Sequence, residues 1–265
     1  MQLCYFLNFG TITMIKLFIT DLDGCISIPF ESPDWELLSQ IRRLNEQSVQ
    51  DLAVPSLSIC SGRPFPYVEA VAQWLGIDSH VVFESAGVYK LETNEIKLHP
   101  AFDSEAEQQV RELKEWLRKE IVPQYQGIII EFTKKMDAGI IHLDTEVIQE
   151  LYPQVAEYVE EHYPKFEVHD TEVSINIILA ENNKRTGIQQ LCELMDIDPS
   201  EVAYIGDSSG DIPGLQLVGK AFAPQNAAEA VKREAQVLDS EVTEAVLEAY
   251  RQVIRENRKK LAAAG

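Results

Sequence analysis

Short, solid apolar runs alternate with stripes of helical spacing along the first ninety residues. Ile15–Thr20 (IKLFIT) has the length and the β-branched and aromatic content of a buried strand. Ser32–Gln47 places Leu37, Leu38, Ile41 and Leu44 on one helical face, with Ser32 as the cap and Pro33 in the first turn. Pro55–Cys60 (PSLSIC) reads as a second strand. A helix from Pro64 to Leu75 is ended by Gly76, and Val81–Glu84 reads as a third strand. This β-α-β-α-β order predicts a parallel sheet with helices on both faces.

The pattern then changes. Asp103–Ile121 is amphipathic, with Val110, Leu113, Trp116 and Leu117 on one side. Gly127–Thr133 and Gly139–Leu143 read as two strands joined by a Lys-Lys-Met-Asp turn. Asp144–His162 carries Val147, Ile148, Leu151, Val155 and Val159 at helical spacing, and Phe166–His169 and Glu172–Leu179 form a second strand pair. Helix, hairpin, helix, hairpin predicts an α+β insert at 88–180. After it the first rhythm returns. Lys184–Met195 is a helix, Glu201–Ile205 a strand, Ile212–Leu217 a short helix and Lys220–Ala223 a strand. Val231 lies in another short helix, and Val242–Ile254 is the last. Arg255, Arg258, Lys259 and Lys260 suit the negative end of that helix, and the tail LAAAG is expected to fray. The expected division is a discontinuous α/β core at 14–87 and 181–265, an insert at 88–180 and an extension at 1–13. The first strand begins right after Met14, so the extension is either an upstream stretch with Met14 as the initiator or a short arm.

Composition narrows the function. With 265 residues, 45% of them apolar and 25% charged, the chain is globular and holds enough core to need no disulfides. Its 43 acidic against 23 basic residues give a net charge of −20. Such a surface repels phosphate backbones and anionic lipid, which argues against nucleic-acid or polybasic membrane partners. No apolar run approaches the roughly 20 residues that cross a bilayer. Cys4, Cys25, Cys60 and Cys192 form no CxxC pair and read as reduced thiols of a cytoplasmic protein. An anionic substrate would have to meet locally concentrated positive charge. The five histidines show no metal-ligand spacing.

In an open parallel α/β sheet, ligands bind beyond the carboxyl ends of the strands. The first strand is followed by Asp21-Leu22-Asp23-Gly24-Cys25 and the second by Ser61-Gly62-Arg63. Glu84-Ser85-Ala86-Gly87 stands at the end of the third. The helix after the insert starts at Asn182-Asn183-Lys184, and the next strand runs into Gly206-Asp207-Ser208-Ser209-Gly210-Asp211. Carboxylates gathered this way need a cation, and oxygen-only ligation points to Mg²⁺. A divalent ion, a lysine and the amides of a glycine turn make a cradle for a phosphoryl group. One strand-end carboxylate can attack phosphorus, and another two residues on can handle the leaving-group proton.

DLDG at 21–24, SGR at 61–63, Lys184 and GDSSGD at 206–211 resemble the haloacid dehalogenase superfamily. The insert resembles the α/β cap of its subclass IIB, the Cof-type and sucrose-phosphatase-like branch. The resemblance covers about residues 14–255 and implies a Rossmann-like core with an inserted cap. It implies Asp21 as nucleophile and Asp23 as acid and base. Ser61, Gly62 and Lys184 would hold the phosphoryl oxygens. Mg²⁺ would lie on Asp21, the carbonyl of Asp23, Asp207 and Asp211, the last directly or through water. Cys25, Ser61 and Gly210 stand where Thr, Thr and Asn are usual, and residues 84–87 replace a frequent Asn-Gly pair. The expected activity is Mg²⁺-dependent hydrolysis of a small sugar phosphate or related phosphorylated metabolite through an aspartyl-phosphate. The rivals are a phosphomutase of the same fold and a non-enzymatic, phosphorylatable receiver-like module. Arg63, Ser174 and Asn176 are the candidate substrate readers, with Glu131 and Lys134 as weaker ones. Ser174 and Asn176 share a strand face directed either into the cleft or into solvent. The oligomeric state is left open.

Overall fold

The computed structural model describes residues 13–264. The expected extension at 1–13 lies outside the described residues except for Thr13, and so does Cys4. In chain order the first elements are β1 (Leu17–Thr20), α1 (Trp35–Gln47), β2 (Ser56–Ile59), α2 (Phe65–Trp74) and β3 (His80–Phe83). A hairpin of β4 (Gly87–Lys90) and β5 (Glu95–Lys97) follows. Next come α3 (Ser104–Trp116), β6 (Ile129–Ile130), β7 (Ala138–Ile141), α4 (Thr145–His162), β8 (Phe166–Asp170) and β9 (Ser174–Leu179). The chain closes with α5 (Lys184–Met195), β10 (Val202–Ile205), α6 (Ile212–Leu215) and β11 (Lys220–Ala223). After these come α7 (Glu229–Lys232), β12 (Gln236–Val237) and α8 (Val242–Ala264).

The main sheet is parallel, in the order β12-β11-β10-β1-β2. Its order reverses at β1, which pairs with β2 on one side and β10 on the other. This is a topological switch point, where open α/β sheets hold their ligands. Register pairs Thr20 with both Ile59 and Ile205, so the three strands end level and the residues after them share one edge. Alternate β1 side chains feed two layers. Phe18 stacks on Tyr250 of α8, with centroids 4.8 Å apart, while Leu17 and Ile19 join Ile188 and Leu191 of α5 on the opposite face.

Four sequence expectations change. The cap of α1 is Asp34, whose carboxylate accepts from the amides of Glu36 and Leu37 at 3.0 Å; Ser32 lies before the helix. The third strand touches the main sheet through a single parallel bridge, Cys60 to Val82, and builds an antiparallel sheet with β4 and β5. The division expected at 88 thus falls inside β4, a strand bonded to β3. The helix expected to Ile121 is α-helical to Trp116 and ends in one wider turn over Leu117–Ile121. The last helix continues through its alanines to Ala264, where a frayed tail was expected; Ala is the strongest helix former.

The insert folds as a four-stranded antiparallel sheet, β6-β7-β9-β8, covered on one face by α3 and α4. Ile140, Ile175 and Ile177 point into that covered face with Val110, Leu113, Ile148 and Val155. The opposite face carries Glu131, Gly139 and Asn176 in one row: Glu131 bonds to Gly139, and Gly139 pairs with Asn176.

Candidate active site

The level strand ends bring together residues that lie up to 190 positions apart. Asp21 follows β1, is 5% exposed, and donates its amide to the Ile205 carbonyl at 3.0 Å. The chain then turns through Gly24 at φ +68°, where a Cβ would collide with the Asp207 carboxylate; only glycine fits this turn. Lys184 opens α5 behind an Asn183 capping box. A cation at a helix N-terminus opposes the helix dipole. Here two carboxylates offset that cost: the Lys184 Nζ lies 2.7 Å from Asp21 Oδ2 and 2.5 Å from Asp211 Oδ1.

Asp211 is fully buried and saturated. Its Oδ1 accepts from Lys184 and from the Tyr204 hydroxyl, and its Oδ2 from the amides of Asp207 and Ser208 and the Ser208 hydroxyl. One oxygen from each of Asp21, Asp207 and Asp211 lies within 4.8 Å of the others, a spacing that suits one hard cation. Burial, with repulsion from the neighbouring carboxylates and against Lys184, pushes Asp21 up to about 8 and Asp207 up to about 7. Burial would also raise Asp211, but Lys184 and the hydrogen bonds outweigh it and hold that carboxyl low. Burial opposes the Lys184 charge, yet Asp21 and Asp211 keep its ammonium well above the ordinary lysine value.

Ser61 is 1% exposed, and its hydroxyl accepts from the Arg63 amide at 3.3 Å. Arg63 places its guanidinium fork on Asp23, with Nε and Nη2 at 2.5 and 2.8 Å from the two oxygens, and lies over the Tyr67 ring at 5.2 Å. The insert reaches this edge through the loop before β7, where the Lys135 and Met136 amides donate to Glu84, and its polar face carries the candidate substrate readers. On it, Asn176 is engaged at both ends of its amide: Oδ1 accepts from Lys134 Nζ at 2.9 Å, and Nδ2 donates to Ser174 Oγ at 2.9 Å. Lys134 also pairs with Glu131 at 3.0 Å and Asp137 at 3.5 Å. Cys25 is buried, and burial followed by the nearby carboxylates pushes its thiol well above the ordinary value, so it stays an unreactive thiol.

One contributor, Tyr204, and the partners of another, Glu84, escaped the sequence reading. Tyr204 sits in an apolar strand and reads as core, although a buried tyrosine hydroxyl needs an acceptor, which hints at a polar partner nearby. Glu84 reads as a strand end, yet its buried carboxylate accepts from the amides of Lys135 and Met136 in the insert.

The profile of the haloacid dehalogenase-like hydrolases matches residues 114–249, half of the chain. The chain belongs to this family. The insert is the α+β cap of that fold. It is 28% identical over 255 residues to a phosphoglycolate phosphatase of Methanopyrus kandleri, covering 92% of this chain and 99% of that protein. A second phosphoglycolate phosphatase, from Methanococcoides burtonii, is 28% identical over 242 residues, 89% of this chain and 95% of the relative. Among solved structures, a Thermoplasma acidophilum protein shares the fold with a TM-score of 0.73 at 21% identity, covering 91% of this chain and 98% of that one. The sucrose-phosphatase of Synechocystis, solved with sucrose and phosphate, gives 0.64 at 15% identity over 91% and 98%.

Proposed function

We propose that the protein is a Mg²⁺-dependent phosphomonoesterase that forms an aspartyl-phosphate on Asp21. The observation that carries this reading is the buried Lys184 ammonium between Asp21 and Asp211, with Asp207 completing a carboxylate triad at the switch point. An Asp21 oxygen attacks phosphorus as the ester P–O bond breaks, and Asp23 gives its proton to the leaving oxygen. Water then attacks the aspartyl-phosphate and loses its proton to Asp23, which releases inorganic phosphate and restores Asp21. Lys184, the Ser61 hydroxyl and the Gly62 backbone hold the phosphoryl oxygens. Asp21, Asp207 and the Asp23 carbonyl would hold the metal, joined by Asp211 directly or through water, while Asp211 also orients Lys184 and the 207–208 loop. Bound there, Mg²⁺ supplies positive charge to the phosphoryl oxygens.

The substrate proposed is a small phosphorylated acid or sugar phosphate. The names of the two phosphatase relatives put phosphoglycolate first among those to try. Release of inorganic phosphate from a panel of phosphorylated metabolites, with and without chelator, tests the reading. Turnover that survives exhaustive chelation removes the metal from it, and a sugar bisphosphate in place of inorganic phosphate would make the enzyme a mutase.

The metal also governs stability. Asp21 and Asp207 have folded values of about 8 and about 7, above the unfolded value of roughly 3.9. The folded state binds the extra protons between these limits, so metal-free stability falls as pH rises from about 4 to about 8. A cation binds the ionised carboxylates and offsets that loss. Added Mg²⁺ should raise Tm more at about pH 8 than at about pH 5.5, as read by differential scanning fluorimetry. An equal shift at both would place the ion elsewhere.

Cap contacts should separate substrates. Asn176→Ala and Ser174→Ala are expected to lower kcat/KM on the best metabolite by roughly 2- to 13-fold, the value of one neutral hydrogen bond, and to leave p-nitrophenyl phosphate nearly unchanged. Equal losses on both esters would take these side chains out of substrate choice.

A further inference from the structure

We infer that Glu84 is a positioning residue that docks the polar face of the cap onto the phosphate loop; this rests on the phosphatase reading above. Glu84 and Ser85 both adopt left-handed backbone, at φ 44° and 64°. That region favours Gly or Asn, and other residues persist there where their surroundings over-determine them. The turn is fixed from the core side. The Glu84 amide donates to the Arg63 carbonyl at 3.0 Å and the Ser85 amide to the Ser61 carbonyl at 2.9 Å, so two backbone bonds tie it to the 61–63 loop. The first turn of α5, which starts at Lys184, packs against it so closely that a Cβ on Gly187 would strike the Ser85 carbonyl.

The side chain of the same residue leaves the core. Its carboxylate, 1% exposed, accepts from the Lys135 amide at 2.9 Å and from the Met136 amide at 2.5 Å. These amides belong to the β6–β7 loop, directly after Lys134. Lys134 in turn fixes Glu131, Asp137 and Asn176, and Lys114 holds the Lys134 carbonyl from α3. A continuous chain of bonds therefore runs from Ser61 and Arg63 through Glu84 to the loop that carries Lys134, and on to Glu131, Asn176 and Ser174. A simple turn would be served better by Gly or Asn. A long carboxylate at this position gives the cap loop a charged anchor in the phosphate-binding core. The anchor sets how the cap's polar groups stand over the phosphoryl site, which governs the substrate's remote part and not the phosphoryl group itself.

Glu84→Ala and the isosteric Glu84→Gln, made in the full chain, test this. Amide hydrogen exchange should speed up at least about 10-fold at residues 135 and 136 in Glu84→Ala, and less in Glu84→Gln, which keeps one acceptor oxygen. On the best phosphorylated metabolite, kcat/KM should fall about 10- to 100-fold in Glu84→Ala, while p-nitrophenyl phosphate changes by less than about 3-fold. Unchanged exchange at 135 and 136 overturns the docking. Equal losses on both esters, with circular dichroism intact, assign Glu84 to the phosphate loop alone and overturn it as well. If both variants fail to fold, Glu84 is a determinant of the fold and the positioning role falls. Should the parent hydrolyse no monoester, the phosphatase reading fails by itself, and the exchange measurement still decides the docking.

Discussion

Asp21→Asn should abolish turnover on every phosphate ester and leave the fold intact. The amide keeps the shape of the carboxylate and loses the charge that the proposed mechanism uses to attack phosphorus, so at least about a 100-fold loss is expected, and a loss nearer 10⁴-fold if no bypass exists. The stability side is as specific. Asp21 is buried among Asp207, Asp211 and Asp23, and this environment raises its value to about 8. An ionised carboxylate there is a strained resident of the metal-free site, so its neutral amide should hold or raise Tm in the presence of chelator. Added Mg²⁺ should then stabilise the variant less than the parent, because one of the oxygens meant for the ion has lost its charge. The measurements are phosphate release, far-ultraviolet circular dichroism and melting with and without Mg²⁺. A variant with native dichroism that retains more than a few per cent of parent activity would remove Asp21 from the nucleophile's role.

The sequence made the chemistry legible where the information is local. A run such as IKLFIT ends at a definite residue, and a parallel sheet sends whatever follows to one edge. Asp21, Ser61 and Asp207 could therefore be gathered by reading strand ends, and the register of β1 with β2 and β10 aligns them. The α5 boundaries were equally readable, since Asn183 caps and Lys184 begins the helical stripe. What stayed hidden depends on partners far along the chain. Arg63 reaches Asp23 across 40 residues, and Glu84 reaches Met136 across 52. No periodicity encodes such pairs; they appear once loops are folded against one another. Tyr204 was hidden for another reason. Its strand is apolar throughout, and only its hydroxyl, turned onto Asp211, separates it from an ordinary core aromatic. The β4–β5 hairpin was missed because GVYK and EIK hold only three apolar residues between them, Val88, Tyr89 and Ile96, too few to register as a pattern. Capping by Asp34 in place of Ser32 shows the same limit at short range. Both residue types cap well, and Pro33 after Ser32 made the earlier site attractive.

Lys184→Ala should lose activity on all esters together and lose stability with it, a combination that separates it from any change in the cap. In the proposed mechanism every substrate presents the same phosphoryl group to this ammonium, so kcat/KM on the best metabolite and on p-nitrophenyl phosphate should fall in parallel, by about 10²–10³-fold. The ammonium also stands between two buried carboxylates, 2.7 Å from Asp21 and 2.5 Å from Asp211. Its removal leaves both facing each other without a cation. Breaking a buried pair in this way costs about 3–5 kcal/mol, because the stranded charge stays desolvated. For a chain of this size that corresponds to a Tm lower by roughly 6–20 °C. Asp211 keeps its bonds from Tyr204 and the 207–208 loop, so the damage should centre on Asp21 and its repulsion from Asp211. Two further measurements follow from this. Asp21 lies at about 8 with the ammonium beside it and rises further without it, so the Tm deficit in chelator should be largest above about pH 8 and smaller near neutral pH, and Mg²⁺ should recover part of it by replacing the missing charge. Lys184→Met, which restores the volume without the charge, should behave like Lys184→Ala in both assays. If Lys184→Met instead regains the parent's Tm in chelator, packing and not charge is what the lysine contributes to the fold. If p-nitrophenyl phosphate is turned over at the parent's rate by either variant, Lys184 does not hold the phosphoryl group.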